Sequence, residues 1–255
     1  MRKAFKRLLL ITLAFWLLTA CSTGYVVVET SHTNQVIAPL EVPLDSSVVA
    51  IYMPFKEKLE AEMNKVIGIS EIDLVKGKPE SPLTNFLADL LRAEALILAN
   101  MHSSTAGVHI SFLNYGGIRT GLPKGEIMVG HIFELMPFEN ELVILQLSGK
   151  EIQSFLDLIA SRGGDSVGGV RFRIADGKAT DIVIDGSPFD SSESYWLATS
   201  DYVADGGDSY SMLQNHLTRI NTGDKIRDVM IQYLTKNHAS GEIIHPKTDR
   251  RIVYE

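Results

Sequence analysis

Residues 141–162 read ELVILQLSGKEIQSFLDLIASR. The first part, ELVILQLSG, is a long apolar run of the kind expected for a central strand covered on both faces. GKEIQSFLDLIASR then has the pattern of an amphipathic helix. Ser148 stands where a helix N-cap is needed, and Glu151 lies at capping-box spacing from it. A buried strand feeding straight into an amphipathic helix predicts a sheet covered by helices.

The rest of the chain fits that frame. Phe55, Leu59, Met63 and Ile67 recur at helical spacing, with Pro54 expected in the first turn and Gly68 at the end. A second helix is expected after Pro82, over 85–101, apolar on several faces and therefore buried. VHISFLN (108–114) reads as a strand, GEIMV (125–129) as a short strand and HIFELM (131–136) as a short helix before Pro137. The segments 170–177 and 179–186 alternate apolar and polar residues and are expected to pair through a turn at Asp176-Gly177. A break at Gly186-Ser187-Pro188 precedes a strand over 195–203, and Asp205-Gly206-Gly207-Asp208 reads as a loop. Asp224 is the expected cap of a helix over 224–237, and RIVY (251–254) is a terminal strand. VVV (26–28) is a candidate edge strand. Strands and helices interleave without a regular βαβ rhythm, so the expectation is a single α+β domain of mixed, layered helix and sheet over 48–255. There are no internal repeats.

The N-terminus is expected to be a targeting segment. Arg2, Lys3, Lys6 and Arg7 form a basic head, an apolar run follows, and Leu18-Thr19-Ala20 leads to Cys21. The run is too short for an ordinary spanning helix and reads as a secretory signal over 1–20. Cys21 at the cut point resembles the lipobox of bacterial lipoproteins. That resemblance implies a lipid on Cys21 and a tether over 21–47. With Ser22 next in line, it implies attachment to an outer membrane, facing the periplasm. Cys21 is the sole cysteine, so no disulfide framework is available. The first 20 residues hold four of the 24 basic residues and no acidic one. The remainder therefore carries 20 basic against 31 acidic residues, a net charge of −11. Such acidity argues against nucleic acid as a partner, but leaves room for a small anion held by a few arginines.

Four short pieces place polar or aromatic groups at element ends, where binding groups are displayed. They are Asn114-Tyr115-Gly116-Gly117-Ile118-Arg119, Pro137-Phe138-Glu139-Asn140, Gly168-Gly169-Val170-Arg171-Phe172 and 202–208, YVADGGD. Taken singly, each has a plain reading. Gly116-Gly117 makes a turn, Phe138 and Tyr202 are core aromatics, and Asp208 is a turn or cap aspartate. Taken together, Arg119 beside exposed amides suits an anion or hydroxyl, two loop aromatics can sandwich a planar ring, and Asp208 can accept from a sugar diol.

In order along the chain, ESPLTNFLADLLR, FLNYGGIRTGLPKGEI, ELMPFENELVILQLSGKEI, VGGVRFRI and LATSDYVADGGDSY resemble the C-terminal domain of the 5′-nucleotidases over 48–253. The resemblance implies that this is the substrate-specificity half of such an enzyme. It implies that Phe138 and Tyr202 sandwich the base and Asp208 binds the ribose hydroxyls. Arg119 then contacts the ribose and phosphate side, Asn114 and Gly116 lie near the base and backbone turn, and Asn140 matches the asparagine after Pro-Phe-Gly. Three departures stand out. Tyr115 replaces a glycine, which is costly if the position needs positive φ. Glu139 replaces a glycine and brings negative charge beside the base site. Ser209 replaces the glycine before Tyr210. Arg92 is the nearest basic residue where some members place a further arginine, so phosphate contact is expected to be weaker.

The complete family enzyme also carries a phosphoesterase domain with two metals, and none of its motifs occurs here. No two of the seven histidines have metal-ligand spacing, and there is no nucleophile elbow. Two functional expectations follow. In one, the chain has no cofactor of its own and binds a nucleoside 5′-phosphate for a separately encoded metallophosphatase holding two divalent metals. In the other, it is a stand-alone nucleotide- or nucleoside-binding lipoprotein. A retained fold without ligand is the third reading.

Overall fold

The computed structural model describes residues 45–102 and 107–255. The signal segment, Cys21, most of the tether and the candidate strand at 26–28 lie outside the described residues. Ala50–Glu255 form one compact unit.

The 141–162 stretch folds as its pattern demands. Strand β4 is Glu141–Ser148 and helix α4 is Gly149–Ser161. Ser148 caps the helix by accepting the Glu151 N–H through its hydroxyl oxygen, and the hydroxyl in turn donates to the Glu151 carboxylate. β4 lies inside a five-stranded sheet of order β10-β4-β9-β2-β5. The other strands of this sheet are β10 (Thr218–Lys225), β9 (Ser194–Ser200), β2 (Ile110–Leu113) and β5 (Ser166–Gly168). β4 is antiparallel to both neighbours, whereas β2 and β9 run parallel.

Because side chains alternate across a strand, β4 supplies both faces of the sheet. Leu142 and Ile144 enter one core with Leu83, Leu87, Leu91 and Ala95 of helix α2 (Pro82–His102) and with Ile226, Met230 and Leu234 of helix α6 (Ile226–Ala239). Val143, Leu145 and Leu147 enter a second core with Ile152, Phe155, Leu156 and Ile159 of α4. At its centre Phe112, Phe155 and Tyr210 meet edge-on or tilted, with ring centroids 4.9 to 5.7 Å apart.

A four-stranded sheet closes this second core. Its order is β11-β6-β7-β8, from Ile252–Tyr254, Val170–Ala175, Lys178–Ile184 and Ser187–Pro188. The β6–β7 hairpin turns at Asp176 (φ 50°) and Gly177 (φ 72°), the pair of positive φ angles that a two-residue turn of this kind requires. Arg251 fastens the end of the chain. It is nearly buried, donates to both carboxylate oxygens of Asp89 at 2.8 Å and to the Val167 carbonyl at 2.9 Å. The layered α+β expectation therefore stands.

Several local expectations are corrected. The first helix, α1 (Ser46–Met63), starts earlier than expected because Asp45 caps it, so Pro54 falls inside it. Ile67 and Gly68 belong instead to strand β1 (Val66–Ser70), paired with β3 (Gly125–Met128). None of the residues of α1 is buried, and Phe55 is 75% exposed. Helical spacing identifies an apolar stripe but not whether anything covers it. Val129 opens helix α3 (Val129–Leu135) rather than ending a strand. The strand ending in SDYV stops at Ser200, whose hydroxyl caps a single helical turn, α5 (Asp201–Ala204). Asp224 caps nothing: it lies in β10, and Lys225 occupies the N-cap position without a side-chain bond.

Candidate functional site

Strand direction gathers the candidate residues. Parallel β2 and β9 leave the sheet at the same edge, and antiparallel β4 enters there. The loop after β2 carries Asn114 to Arg119, the segment before β4 carries Phe138 and Asn140, and the turn after β9 carries Tyr202 and Asp208. Ligand sites commonly form outside the carboxyl ends of such strands. Here Asn114, Gly116, Gly117, Arg119, Phe138, Asn140, Tyr202 and Asp208 line one cleft of about 330 Å³. Each of the seven residues singled out by sequence for ligand contact is among them.

The two aromatics are open to a ligand. Phe138 is 45% and Tyr202 46% exposed, and neither belongs to a buried core cluster. Asp208 stands between Asn114, whose amide donates to Oδ2 at 2.6 Å, and Tyr202, whose hydroxyl donates to Oδ1 at 3.0 Å. The Gly116-Gly117 pair is a turn as well as a wall. Gly117 N donates to the Asn114 carbonyl at 2.9 Å, and a Cβ on Gly117 would stand 2.8 Å from the Asn114 amide oxygen. Glycine is required there for close approach; neither glycine has positive φ.

Tyr115 also lacks positive φ, so the cost expected at this position does not arise. Its ring lies under the ammonium groups of Lys76 at 4.3 Å and Lys78 at 5.1 Å. Lys76 donates to the carbonyls of Ile118 (2.7 Å) and Tyr115 (3.3 Å). Burial, then repulsion from Arg119, pushes the Lys76 ammonium below the usual lysine range, with Asp165 opposing. Among the described residues no carboxylate is within ion-pair distance of Arg119 or Lys76. Positive φ falls instead at Asp208 (φ 51°) and at Ser209 (φ 68°), the latter standing where the resemblance expects glycine.

Glu139 does not present free charge to the cleft. Hydrogen bonds from Lys225 and then Arg227 hold its carboxyl far down, at about 2. Arg92 is committed elsewhere. It donates to the carbonyls of Val108 and His109, which precede β2 at the opposite edge, and to Asp185 at 2.7 Å. The Gly168-Gly169-Val170-Arg171-Phe172 piece is also remote: Gly168 pairs with Ser111, and Arg171 pairs with Asp249. Three of the four pieces converge, and this one does not. Among the described residues no group of three or more His, Cys, Asp and Glu could hold a metal ion.

Sequence reasoning misses the layer beneath Asp208. Arg162, just past the end of α4, donates to the Asp208 carbonyl at 2.7 Å and lies 5.0 Å from the Tyr210 ring centroid. The Tyr210 hydroxyl donates to Asp165 Oδ2 at 3.3 Å, and Ser166 N donates to Oδ1 at 2.8 Å. An arginine at a helix end is too common to signal this. Burial raises Asp165 to about 6 against the N–H of Ser166 and the charge of Lys78, and pushes the Tyr210 phenol above its usual range. Between pH 4 and 6 the folded state therefore holds a proton that the unfolded state releases. This group's stabilisation is complete below about pH 4 and is lost as pH rises through about 6, a swing of about 3 kcal/mol. Asp165→Asn is expected to exceed the parent in stability at pH 7.5 and to match it near pH 4. Urea titrations at the two pH values measure this, and a constant difference would refute it.

The fold is a layered α+β domain with an aromatic- and carboxylate-lined cleft at the strand ends of its five-stranded sheet. The model of the 5′-nucleotidase C-terminal domain matches residues 63–215, and the chain belongs to that family. It is similar to the protein UshA of Escherichia coli K12, with 28% identity over 214 residues, covering 82% of this chain and 38% of that protein. It is also similar to the trifunctional nucleotide phosphoesterase YfkN of Bacillus subtilis 168, with 28% identity over 251 residues, covering 89% of this chain and 16% of that one. Among solved structures, a 5′-nucleotidase precursor from Thermus thermophilus superposes with a TM-score of 0.65 at 25% identity, covering 83% of this chain and 44% of that chain. The chain thus spans less than half the length of each of these relatives.

Proposed function

We propose that this chain is the nucleotide-recognition half of a 5′-nucleotidase, working with a separately encoded phosphoesterase domain. The observation that carries this is the convergence, in one cleft of about 330 Å³, of two open aromatic rings, the Asp208 carboxylate and an arginine. Phe138 and Tyr202 take the base between them, and Asp208 accepts from the ribose hydroxyls. Asn114, Gly116 and Asn140 line the base side, and Arg119 faces the phosphate with Lys76 adding positive charge behind it. The partner would supply two divalent metals that activate water and stabilise the leaving oxygen. The exposed stripe of α1, with Ile51, Phe55 and Leu59, offers an apolar surface to such a partner.

The signal-like segment 1–20 and Cys21 support attachment by a lipid to the outer membrane, facing the periplasm, which metabolic labelling with a fatty acid on the parent and Cys21→Ser would test. The principal experiment is calorimetry of the chain with AMP, followed by phosphate release from AMP when the chain is mixed with two-metal phosphoesterase domains from the same cell. Binding together with phosphate release supports the proposal. Binding without release from any mixture favours the stand-alone nucleotide binder. No binding at millimolar AMP overturns both.

A further inference from the structure

Asp208 occupies a left-handed backbone conformation, φ 51° and ψ 32°, which aspartate adopts more readily than most residues. Four hydrogen bonds hold the residue in place. Asn114 holds Oδ2 at 2.6 Å and the Tyr202 hydroxyl holds Oδ1 at 3.0 Å. The same hydroxyl accepts from Asp208 N at 3.3 Å, and Arg162 holds the Asp208 carbonyl at 2.7 Å. Gly207 allows the arrangement by letting the Tyr202 ring lie against the backbone, since a Cβ there would stand 2.5 Å from the ring.

A carboxylate has about four acceptor positions, two on each oxygen. One position on each oxygen is taken by a protein donor. One on each remains, and the two oxygens are fixed relative to the cleft. A vicinal diol offers two donors at matching separation, whereas a sugar lacking one hydroxyl offers one.

We propose that the Tyr202 hydroxyl and the Arg162 guanidinium are positioning groups that fix Asp208 to read a vicinal diol, so that they set the preference of the cleft for ribose over 2′-deoxyribose. The proposal rests on the nucleotide reading above. It gives Tyr202 two separable duties, with the ring on the base and the hydroxyl on Asp208. It also gives Arg162 a duty although Arg162 is not among the residues that line the cleft.

The test is calorimetry of the full chain with adenosine and with 2′-deoxyadenosine. The parent is expected to prefer adenosine by tenfold or more. Tyr202→Phe keeps the ring, and is expected to lose about tenfold for adenosine and less than twofold for 2′-deoxyadenosine, as a hydrogen bond to a charged group warrants. Arg162→Met is expected to narrow the preference in the same direction, and Arg162→Lys, which keeps a donor, to restore part of it. Thermal unfolding of each variant confirms that the fold is retained. Equal losses for the two ligands, or no loss in Tyr202→Phe, overturn the inference while leaving the nucleotide reading intact. Failure of the parent to bind either nucleoside at millimolar concentration overturns both.

Discussion

Phe138→Ala is expected to weaken AMP binding by roughly 5- to 150-fold, the equivalent of about 1–3 kcal/mol for one base-stacking platform. The ring is almost half exposed and lies outside both buried clusters, so its removal leaves no cavity. The melting temperature should therefore stay within about 2 °C of the parent, as for surface changes that disturb no core. Calorimetry and thermal unfolding on the same samples separate the two effects. Unchanged affinity would remove Phe138 from the site. A large fall in melting temperature would return it to the plain role of a core aromatic.

The second large effect is on stability. Phe155 is fully buried on α4, edge-on to Phe112 at 5.1 Å and tilted to Tyr210 at 5.7 Å. Phe155→Ala removes one of the three rings of that aromatic group and is expected to cost about 3–5 kcal/mol, the sum of lost burial and an incompletely collapsed cavity. Chemical denaturation should show a lower midpoint at unchanged slope. A loss below about 1 kcal/mol would mean that Phe112 and Tyr210 close over the gap, contrary to rigid packing around the strands.

The parts of the fold that sequence discloses are those with a strong local signature. β4 and α4 declare themselves through an unbroken apolar run, a capping serine and an amphipathic repeat. The β6–β7 hairpin declares itself through Asp176-Gly177. β10 escapes such reading because it is an edge strand, TRINTGDK, with no fully buried residue and no alternation to read. The expected first helix runs too far because its repeat continues into Ile67, where pairing with β3 overrides helical spacing. In the site, residues that line the cleft are legible because loops at element ends carry unusual groups. Arg162, Asp165 and Tyr210 are not, since they lie beneath Asp208 rather than on the cleft surface. Arg162 reaches a partner 46 residues away and Tyr210 one 45 residues away, which no local pattern encodes. Tyr115 shows the converse error. Comparison with a glycine makes it look strained, yet positive φ falls at Asp208 and Ser209.

The meeting of β2, β9 and β4 at one edge has a consequence for how such a domain can change over generations. Its cleft-lining side chains sit on connections that anchor themselves in the cores through Ile118, Leu135 and Val203, while their spacing is inherited from strands buried on both faces. A one-residue slip of β4 would carry Phe138 and Asn140 about 3.3 Å along and turn every side chain of the strand to the wrong core, so it is closed to gradual variation. Replacement of a rim residue is open, because it leaves the interior untouched. The chemistry of the cleft can thus drift while architecture is kept, and a lineage can alter its lining without first rebuilding its scaffold.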